Sequence, residues 1–377
     1  MRIGFDGKRA VQNFTGLGNY SHYVADILCH FYPENDYVLY APKKRENKRM
    51  NLLTGQYRQL TLAYPATSFW KKLSSLWRVW GITSQLEKEG IELFHGLSNE
   101  LPLNIHKSRI KSIVTIHDLI FLRYPQYYQS IDRKIYTYKF RKACENADKI
   151  IAISECTKRD ITRYFNIPDD KIEVVYQGCD VSFTHPVTEE KKEEVRKKYQ
   201  LPDHYILNVG SIEERKNILA AVQALPMLPQ HIHIVIVGRR TGYTKKVEQF
   251  IKDNGLGERV HIISNVPFND LPAFYQSAEI FVYPSRFEGF GIPIIEALYS
   301  GIPVVAATGS CLEEAGGPDS IYVNPDDITG LADAFKQIYS NSDKRKNMVE
   351  KGREFAKRFS EKQQSEEIIN IYKKLIR

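Results

Sequence analysis

Twelve short apolar runs of strand length, separated by helix-length stretches, constrain this chain more than any other feature. Six lie in the first half: Arg2–Phe5, Tyr37–Tyr40, Glu92–His95, Ser112–His117, Lys149–Ile153 and Ile172–Tyr176. The other six are Tyr205–Val209, His231–Val237, Val260–Ile263, Ile280–Tyr283, Pro303–Ala306 and Ile321–Val323. Runs this apolar suit strands covered on both faces, which means parallel sheets with helices packed on each side. One intervening helix, Asn19–Phe31, is well marked. Its Tyr20, Tyr23, Val24, Ile27, Leu28 and Phe31 recur at i, i+3, i+4, i+7, i+8 and i+11, a single apolar stripe.

The pattern breaks once, at Asp180–Lys198, where the polar run THPVTEEKKEEVRKKY precedes a fresh strand at Tyr205. A linker and a short charged helix fit there. The predicted domains are 1–185 and 186–360, followed by a final helix, 361–377, with Ile368, Ile369, Tyr372 and Ile376 on one side. The fold class is α/β, two Rossmann-like domains with parallel sheets facing a central cleft. Ligands of open α/β sheets bind beyond the carboxyl ends of the strands, so the loops that follow the strands are where chemistry is expected.

Several function classes drop out. With 42% apolar and 26% charged residues the chain is of globular composition, not disordered. The opening MRIGFDGKRAV is charged throughout and lacks the apolar core of a signal peptide. The longest lightly charged stretch, Phe290–Leu312, contains Glu296, Pro293 and Pro303, which suits buried core better than a membrane span of about 20 apolar residues. Five scattered cysteines, with no Cys-x-x-Cys, predict ordinary buried thiols in a reducing cytoplasm. Residues 1–180 carry 27 Lys and Arg against 19 Asp and Glu, the whole net charge of +8. That asymmetry calls for an anionic partner: a phosphate, a lipid head group or nucleic acid.

The strongest local pattern is PSRFEGFGIPIIEAL, residues 284–298. A strand ends at Tyr283, a glycine-bearing loop follows, and a helix starts near Pro293, where a missing N–H costs nothing. Loop amides and a helix N-terminus attract a phosphate. Glu288 in the loop and Glu296, expected in the first helical turn, would repel a phosphate aimed at them, so they suit sugar and ribose hydroxyls to either side. Next, VGSIEERKN, residues 209–217, follows the first strand of the second half. Gly210 permits a tight turn, and Arg215 and Lys216 offer a fork and a point charge to a diphosphate. Gly238 and Arg239 end the next strand in the same way.

Three first-half patterns are individually weaker. Gly16 and Gly18, in TGLGNY, lie between a strand and the striped helix, but Ser21 stands where a dinucleotide fingerprint needs glycine. That disfavours a dehydrogenase. His117 and Asp118 end an apolar strand, with Asp118 placed to orient the imidazole; His95 is a lesser candidate by the same logic. Ser154 reads as a helix N-cap. In Phe69–Trp80 all three tryptophans stand with Lys71, Lys72 and Arg78 and no acid, and Trp70, Leu73, Leu76, Trp77 and Trp80 recur at helical spacing. This is either an interfacial helix on an anionic membrane or a helix packed into the first domain. No Asp-x-Asp and no His/Cys/Asp cluster has the spacing of a metal site, so no metal and no other cofactor is expected.

The 284–298 string closely resembles the donor-binding motif of glycosyltransferase family 4, retaining enzymes of the GT-B fold. The resemblance runs on through TGLGNY, TIHD and VGSIEERKN. It implies that Glu288 contacts the transferred sugar, Glu296 the ribose, and the amides of Phe290 and Gly291 the sugar. Arg215 and Lys216 would clamp the pyrophosphate, with Ser211 at a position where some members have arginine. Gly16 and Gly18 would abut the donor phosphates, and His117 would sit at the catalytic centre against the sugar or its leaving phosphate. The final helix would cross back onto the first domain. The likeness is greatest to bacterial mannosyltransferases of polysaccharide assembly, which implies GDP-mannose as nucleotide-sugar donor and a saccharide or lipid-linked saccharide as acceptor. The site is then expected in the cytoplasm, at the inner face of the plasma membrane if the tryptophan segment is interfacial. A UDP-sugar transferase, a GT-B-type epimerase, and a non-enzymatic module binding anionic lipid or nucleic acid are the competing readings. The last explains the basic half but neither the Glu288/Glu296 string nor the Arg215–Lys216 turn, so nucleic acid is not the expected partner.

Overall fold

The structure, a computed structural model, describes residues 1–12 and 16–376. Thr15 of the predicted glycine loop and the terminal Arg377 lie outside the described residues. The chain divides into two compact units, Met1–Gln177 with Glu361–Arg377, and Gly178–Ser360.

In the first unit seven strands form one sheet: β1 (Arg2–Asp6), β2 (Asp36–Tyr40), β3 (Leu60–Ala63), β4 (Leu93–Gly96), β5 (Lys111–Ile116), β6 (Lys149–Ala152) and β7 (Ile172–Val174). Their order is β3-β2-β1-β4-β5-β6-β7 and every pairing is parallel. The second unit has six: β8 (Tyr205–Val209), β9 (His233–Val237), β10 (Val260–Ile263), β11 (Ile280–Tyr283), β12 (Val304–Ala307) and β13 (Ile321–Val323). Their order is β10-β9-β8-β11-β12-β13, again all parallel. The winding therefore reverses between β1 and β4 in one sheet and between β8 and β11 in the other. At such points the loops leaving adjacent strands part and open a crevice.

Twelve of the thirteen strands coincide with the apolar runs to within a residue or two. The exception is β3. It is an edge strand on which only Leu60 is buried, so its sequence carries little of the apolar signal that a central strand needs. The striped helix runs Gly16–Phe31 and buries Tyr20, Val24, Ile27 and Leu28, with Tyr23 and Phe31 packed at the margin. The last helix, Glu361–Ile376, puts Ile368, Ile369, Ile371 and Tyr372 into the same core as Ile3, Phe5 and Val24 of the first unit. All five cysteines are buried thiols, none in a disulfide.

The tryptophan segment is not one helix. Helical turns at Ser68–Lys72 and Ser74–Leu76 lead into a widened π turn, Trp77–Gly81, and then a helix, Ile82–Lys88. The Trp70 ring lies on Gly81, where a Cβ would come within 2.7 Å of it. Trp77 is fully buried, whereas Phe69, Leu73, Leu76 and Trp80 are exposed. Arg78 turns inward to bridge Asp6 and Glu100, each at 2.5 Å, and so leaves Lys71 and Lys72 as the segment's exposed cations.

Candidate active site

The predicted groups lie in segments that follow strands' carboxyl ends, Gly16, Gly18 and Glu296 on the helices beyond and the others at or near the strand ends. In the second unit the reversal between β8 and β11 places two loops side by side, residues 210–217 after β8 and 284–291 after β11. The backbone ties them: Arg286 N–H donates to Arg215 O at 2.9 Å. The β8 loop also lies hard against the end of β9. A Cβ on Gly238 would sit 1.9 Å from Gly210 O, so only glycine fits there.

Arg215, Lys216 and Glu288 meet at this junction. The Arg215 guanidinium pairs with Glu288 Oε2 at 2.9 Å and also bonds the Phe287 carbonyl. Lys216 Nζ stands 3.6 Å from Glu288 Oε1 and donates to the Tyr283 hydroxyl at 3.1 Å. Tyr283 and Ser285 in turn donate to Glu288 Oε1, at 3.2 and 2.9 Å. Burial alone would raise the carboxyl's pKa. The two cations and these hydrogen bonds outweigh it and hold Glu288 at about 2. Burial likewise works against the Lys216 ammonium, but Glu288 beside it keeps its pKa raised. At neutral pH the site is thus two cations around one anion, with side chains only 13–18% exposed.

The other second-unit candidates flank this cluster. Ser211 donates to Glu213 at 2.6 Å, and Glu213 stands 3.8 Å from Arg215. Phe290 is buried against Phe359, and the Cys311 thiol donates to the carbonyls of Glu288 and Phe290, both at 3.0 Å. Gly291, at φ 126°, is the residue from which the helix Ile292–Ser300 starts. Glu296 is the fifth residue of that helix, not in its first turn as expected, because the helix starts one residue before Pro293. Its carboxylate accepts from the Tyr275 hydroxyl at 2.6 Å. Burial, with Asp180 adding to it, pushes Glu296 up to about 7 against the opposing pull of that hydrogen bond. Arg239, by contrast, is largely exposed and stands 3.7 Å from Glu213.

In the first unit His117 is buried just past β5, with both ring nitrogens engaged. Nε2 donates to Leu97 O at 2.9 Å, and Nδ1 accepts from the Gln177 amide at 3.2 Å. Its backbone N–H is held by Asn99 Oδ1 at 2.7 Å, and the Tyr20 ring stands edge-on at 4.6 Å. Burial pushes its pKa down to about 4, so the ring is neutral and its acceptor lone pair is on Nδ1. An acceptor nitrogen suits a sugar hydroxyl better than a phosphate oxygen, which has no proton to give. Asp118 Oδ1 accepts from Ile120 N–H at 3.1 Å. Gly16 and Gly18 open the helix Gly16–Phe31; Gly16 is exposed, with no atom within 4 Å of where a Cβ would stand, and Gly18 is buried. His95 is a core residue, bonded to Tyr372 OH at 2.6 Å and Thr115 Oγ1 at 2.8 Å. Ser154 caps its helix by accepting from Thr157 N–H.

Sequence reasoning passed over Tyr275, Tyr283, Ser285 and Gln177. Tyr283 ends β11 and Ser285 lies inside the motif, so position alone could have flagged them; Tyr275 and Gln177 carry no local signal. Among the described residues no group of three or more His, Cys, Asp or Glu is placed to hold a metal ion.

Comparison with known proteins gives the family and the fold. Residues 21–183 match the family described as Glycosyltransferase Family 4, and residues 189–355 the family described as Glycosyl transferases group 1. O-antigen chain mannosyltransferase B of Escherichia coli is 30% identical over 289 residues, covering 75% of this chain and 74% of that protein. O-antigen chain mannosyltransferase RfbU of Salmonella typhimurium is 29% identical over 225 residues, 60% of each chain. Among solved structures, HepE of Anabaena in complex with UDP and glucose superposes with a TM-score of 0.78 at 17% identity over 100% of both chains. Sucrose-phosphate synthase of Thermosynechococcus elongatus gives 0.78 at 20% identity over 100% of this chain and 99% of that one. With its two parallel sheets and these relatives, the chain belongs to the family 4, group 1 glycosyltransferases and has their GT-B fold.

Proposed function

We propose that this glycosyltransferase is a retaining, metal-independent hexosyltransferase that moves mannose from GDP-mannose to a saccharide or lipid-linked saccharide in the assembly of cell-surface polysaccharide. The observation that carries the reading is the buried Arg215–Lys216–Glu288 cluster at the reversal point of the second sheet. The mannosyltransferase names of its relatives support the sugar. Arg215 and Lys216 take the donor diphosphate, and Glu288, released from them, accepts hydrogen bonds from hydroxyls of the transferred hexose. Glu296 takes the ribose, the amides around Phe290 and Gly291 face the sugar, and His117 Nδ1 accepts from a sugar hydroxyl in exchange for the Gln177 amide that it holds in this structure. Ser211, Gly16 and Gly18 contribute close backbone approach to the phosphates.

Transfer breaks the bond between the anomeric carbon and the diphosphate oxygen, which keeps the electron pair. The acceptor hydroxyl bonds that carbon from the same face and passes its proton to the departing phosphate. Charge gathers on the diphosphate in the transition state, so the two cations lower the barrier most, as donors preorganised in a poorly solvated site. A charged Glu288 supplies no proton and serves as an acceptor only.

The exposed Phe69, Leu73, Leu76 and Trp80, with Lys71 and Lys72 in the same short segment, support peripheral contact with an anionic membrane face. Glu100 pairs with both Arg78 and Lys139, and so ties this segment to the helix Ser130–Asn146, where Ile131, Ile135 and Tyr138 are exposed among Lys134 and Arg141. Among the described residues no helix is long and apolar enough to cross a membrane.

Titration with GDP-mannose, UDP-glucose and UDP-N-acetylglucosamine tests the donor, followed by product analysis with a lipid-linked saccharide. The expected result is selective binding of GDP-mannose and an α-linked product. Tighter binding of a UDP-sugar would reassign the donor, donor turnover without acceptor would favour an epimerase, and indifference to all three would end the reading.

A further inference from the structure

Glu296 has one protein partner of unusual rigidity. Tyr275, on the short helix Leu271–Gln276, is wholly buried and its hydroxyl donates a hydrogen bond to Glu296 Oε2 at 2.6 Å. Its ring is stacked on Phe281, centroids 5.3 Å apart, and met edge-on by Phe183, also at 5.3 Å. A phenol packed this way cannot follow a carboxylate that swings; the carboxylate must come to it. Glu296 itself is only partly buried, so its second oxygen, Oε1, is the one left for a ligand.

We propose that Tyr275 is a positioning residue for donor binding: it pins Oε2 of Glu296, keeps that oxygen an acceptor, and so presents Oε1 to the ribose hydroxyls of the nucleoside diphosphate. This rests on the assignment of the ribose to Glu296. The charge state gives it a pH signature. A phenol O–H donates to a carboxylate better than to a carboxylic acid, so the bond favours the ionised form against burial and against Asp180. Besides Asp180, the titratable groups facing the pair are Tyr283 at the end of β11 and Cys179 beside Asp180. Loss of the hydroxyl therefore moves the Glu296 midpoint upward from about 7, and the site loses its acceptor at physiological pH.

The test is Tyr275→Phe in the full chain, which removes one oxygen and keeps the packed ring. Calorimetry gives the affinities of GDP and of 2′,3′-dideoxy-GDP between pH 6 and 9, and their ratio cancels the titration of the phosphates themselves. In the parent the ratio favours GDP and declines as pH falls through about 7. In the variant the decline moves to higher pH, GDP binds about tenfold more weakly at pH 7, dideoxy-GDP binds as before, and kcat at saturating donor changes little. In a Glu296→Gln background the same substitution adds nothing. A parent that fails to distinguish the two nucleotides overturns the ribose assignment, and this role with it. A parent that distinguishes them beside a variant with an unmoved ratio overturns the role of Tyr275 alone, as does an equal loss for both nucleotides.

Discussion

Replacing Glu288 by glutamine removes one charge and almost no volume from a place where four side chains, Arg215, Lys216, Tyr283 and Ser285, meet that charge. The carboxyl is held at about 2 against an ordinary 4.5. At 1.36 kcal/mol per pKa unit the ionised group therefore contributes about 3 kcal/mol to the folded second unit at pH 7. Stranding the Arg215 and Lys216 cations points the same way, since breaking one partner of a buried pair typically costs about 3–5 kcal/mol. A depressed carboxyl stabilises above its unfolded pKa, so the difference between parent and variant is full above pH 4.5 and is lost as pH falls through 2. About half of it remains near pH 3. Urea unfolding of Glu288→Gln and parent at pH 7, 4 and 3 measures this. The same variant carries a second, opposite effect. With no internal anion to displace, GDP should bind it about tenfold or more tightly than it binds the parent, while transfer falls because the sugar has lost its carboxylate. Parental stability at pH 7, or a loss independent of pH, would refute the electrostatic account, and weaker GDP binding would refute the exchange of partners.

Arg215→Ala or Lys216→Ala should each lower kcat by about 100-fold or more, measured at saturating donor, and wild-type turnover in either would remove the diphosphate assignment. His22, His95 and His117 are buried and neutral, pushed down to about 4, 3 and 4 by burial. The unfolded chain binds these three protons near pH 6.5, so the first unit should lose stability from about pH 6.5 downward, at about 1.4 kcal/mol per pH unit for each histidine; a flat pH profile of urea midpoints between 6.5 and 5 would contradict that. Changing Phe69, Leu73, Leu76 and Trp80 together to serine should abolish co-sedimentation with anionic vesicles at low salt. Parent protein that ignores such vesicles would end the membrane proposal.

Strand-end loops that converge where a sheet's winding reverses explain why Arg215 and Glu288, 73 positions apart, come together. β8 and β11 are neighbours in space because β9 and β10 are wound to one side and β12 and β13 to the other. The Arg215 and Glu288 side chains meet only because of that order. The same logic puts Asp6 at the end of β1 against Ser98 past the end of β4, 3.3 Å apart, with Arg78 closing over both strands.

Local pattern was enough to show two parallel α/β units, twelve of thirteen strands and the loops that carry the candidate residues, because burial on both faces and helical periodicity are written in consecutive residues. It was enough, too, to single out Arg215, Lys216, Glu288 and Glu296 by type and spacing. Which of these would pair was not legible. Glu288, expected at the transferred sugar, is also the counter-ion of both cations; Glu296, expected in the first helical turn, is the fifth residue of its helix and accepts from the buried Tyr275 hydroxyl. Trp77 and Trp80, alike in sequence, are buried and exposed respectively, both within a π turn whose wider winding departs from the α-helical spacing. Charge state and orientation depend on dielectric and on partners brought from distant segments, and those are properties of the assembled fold alone.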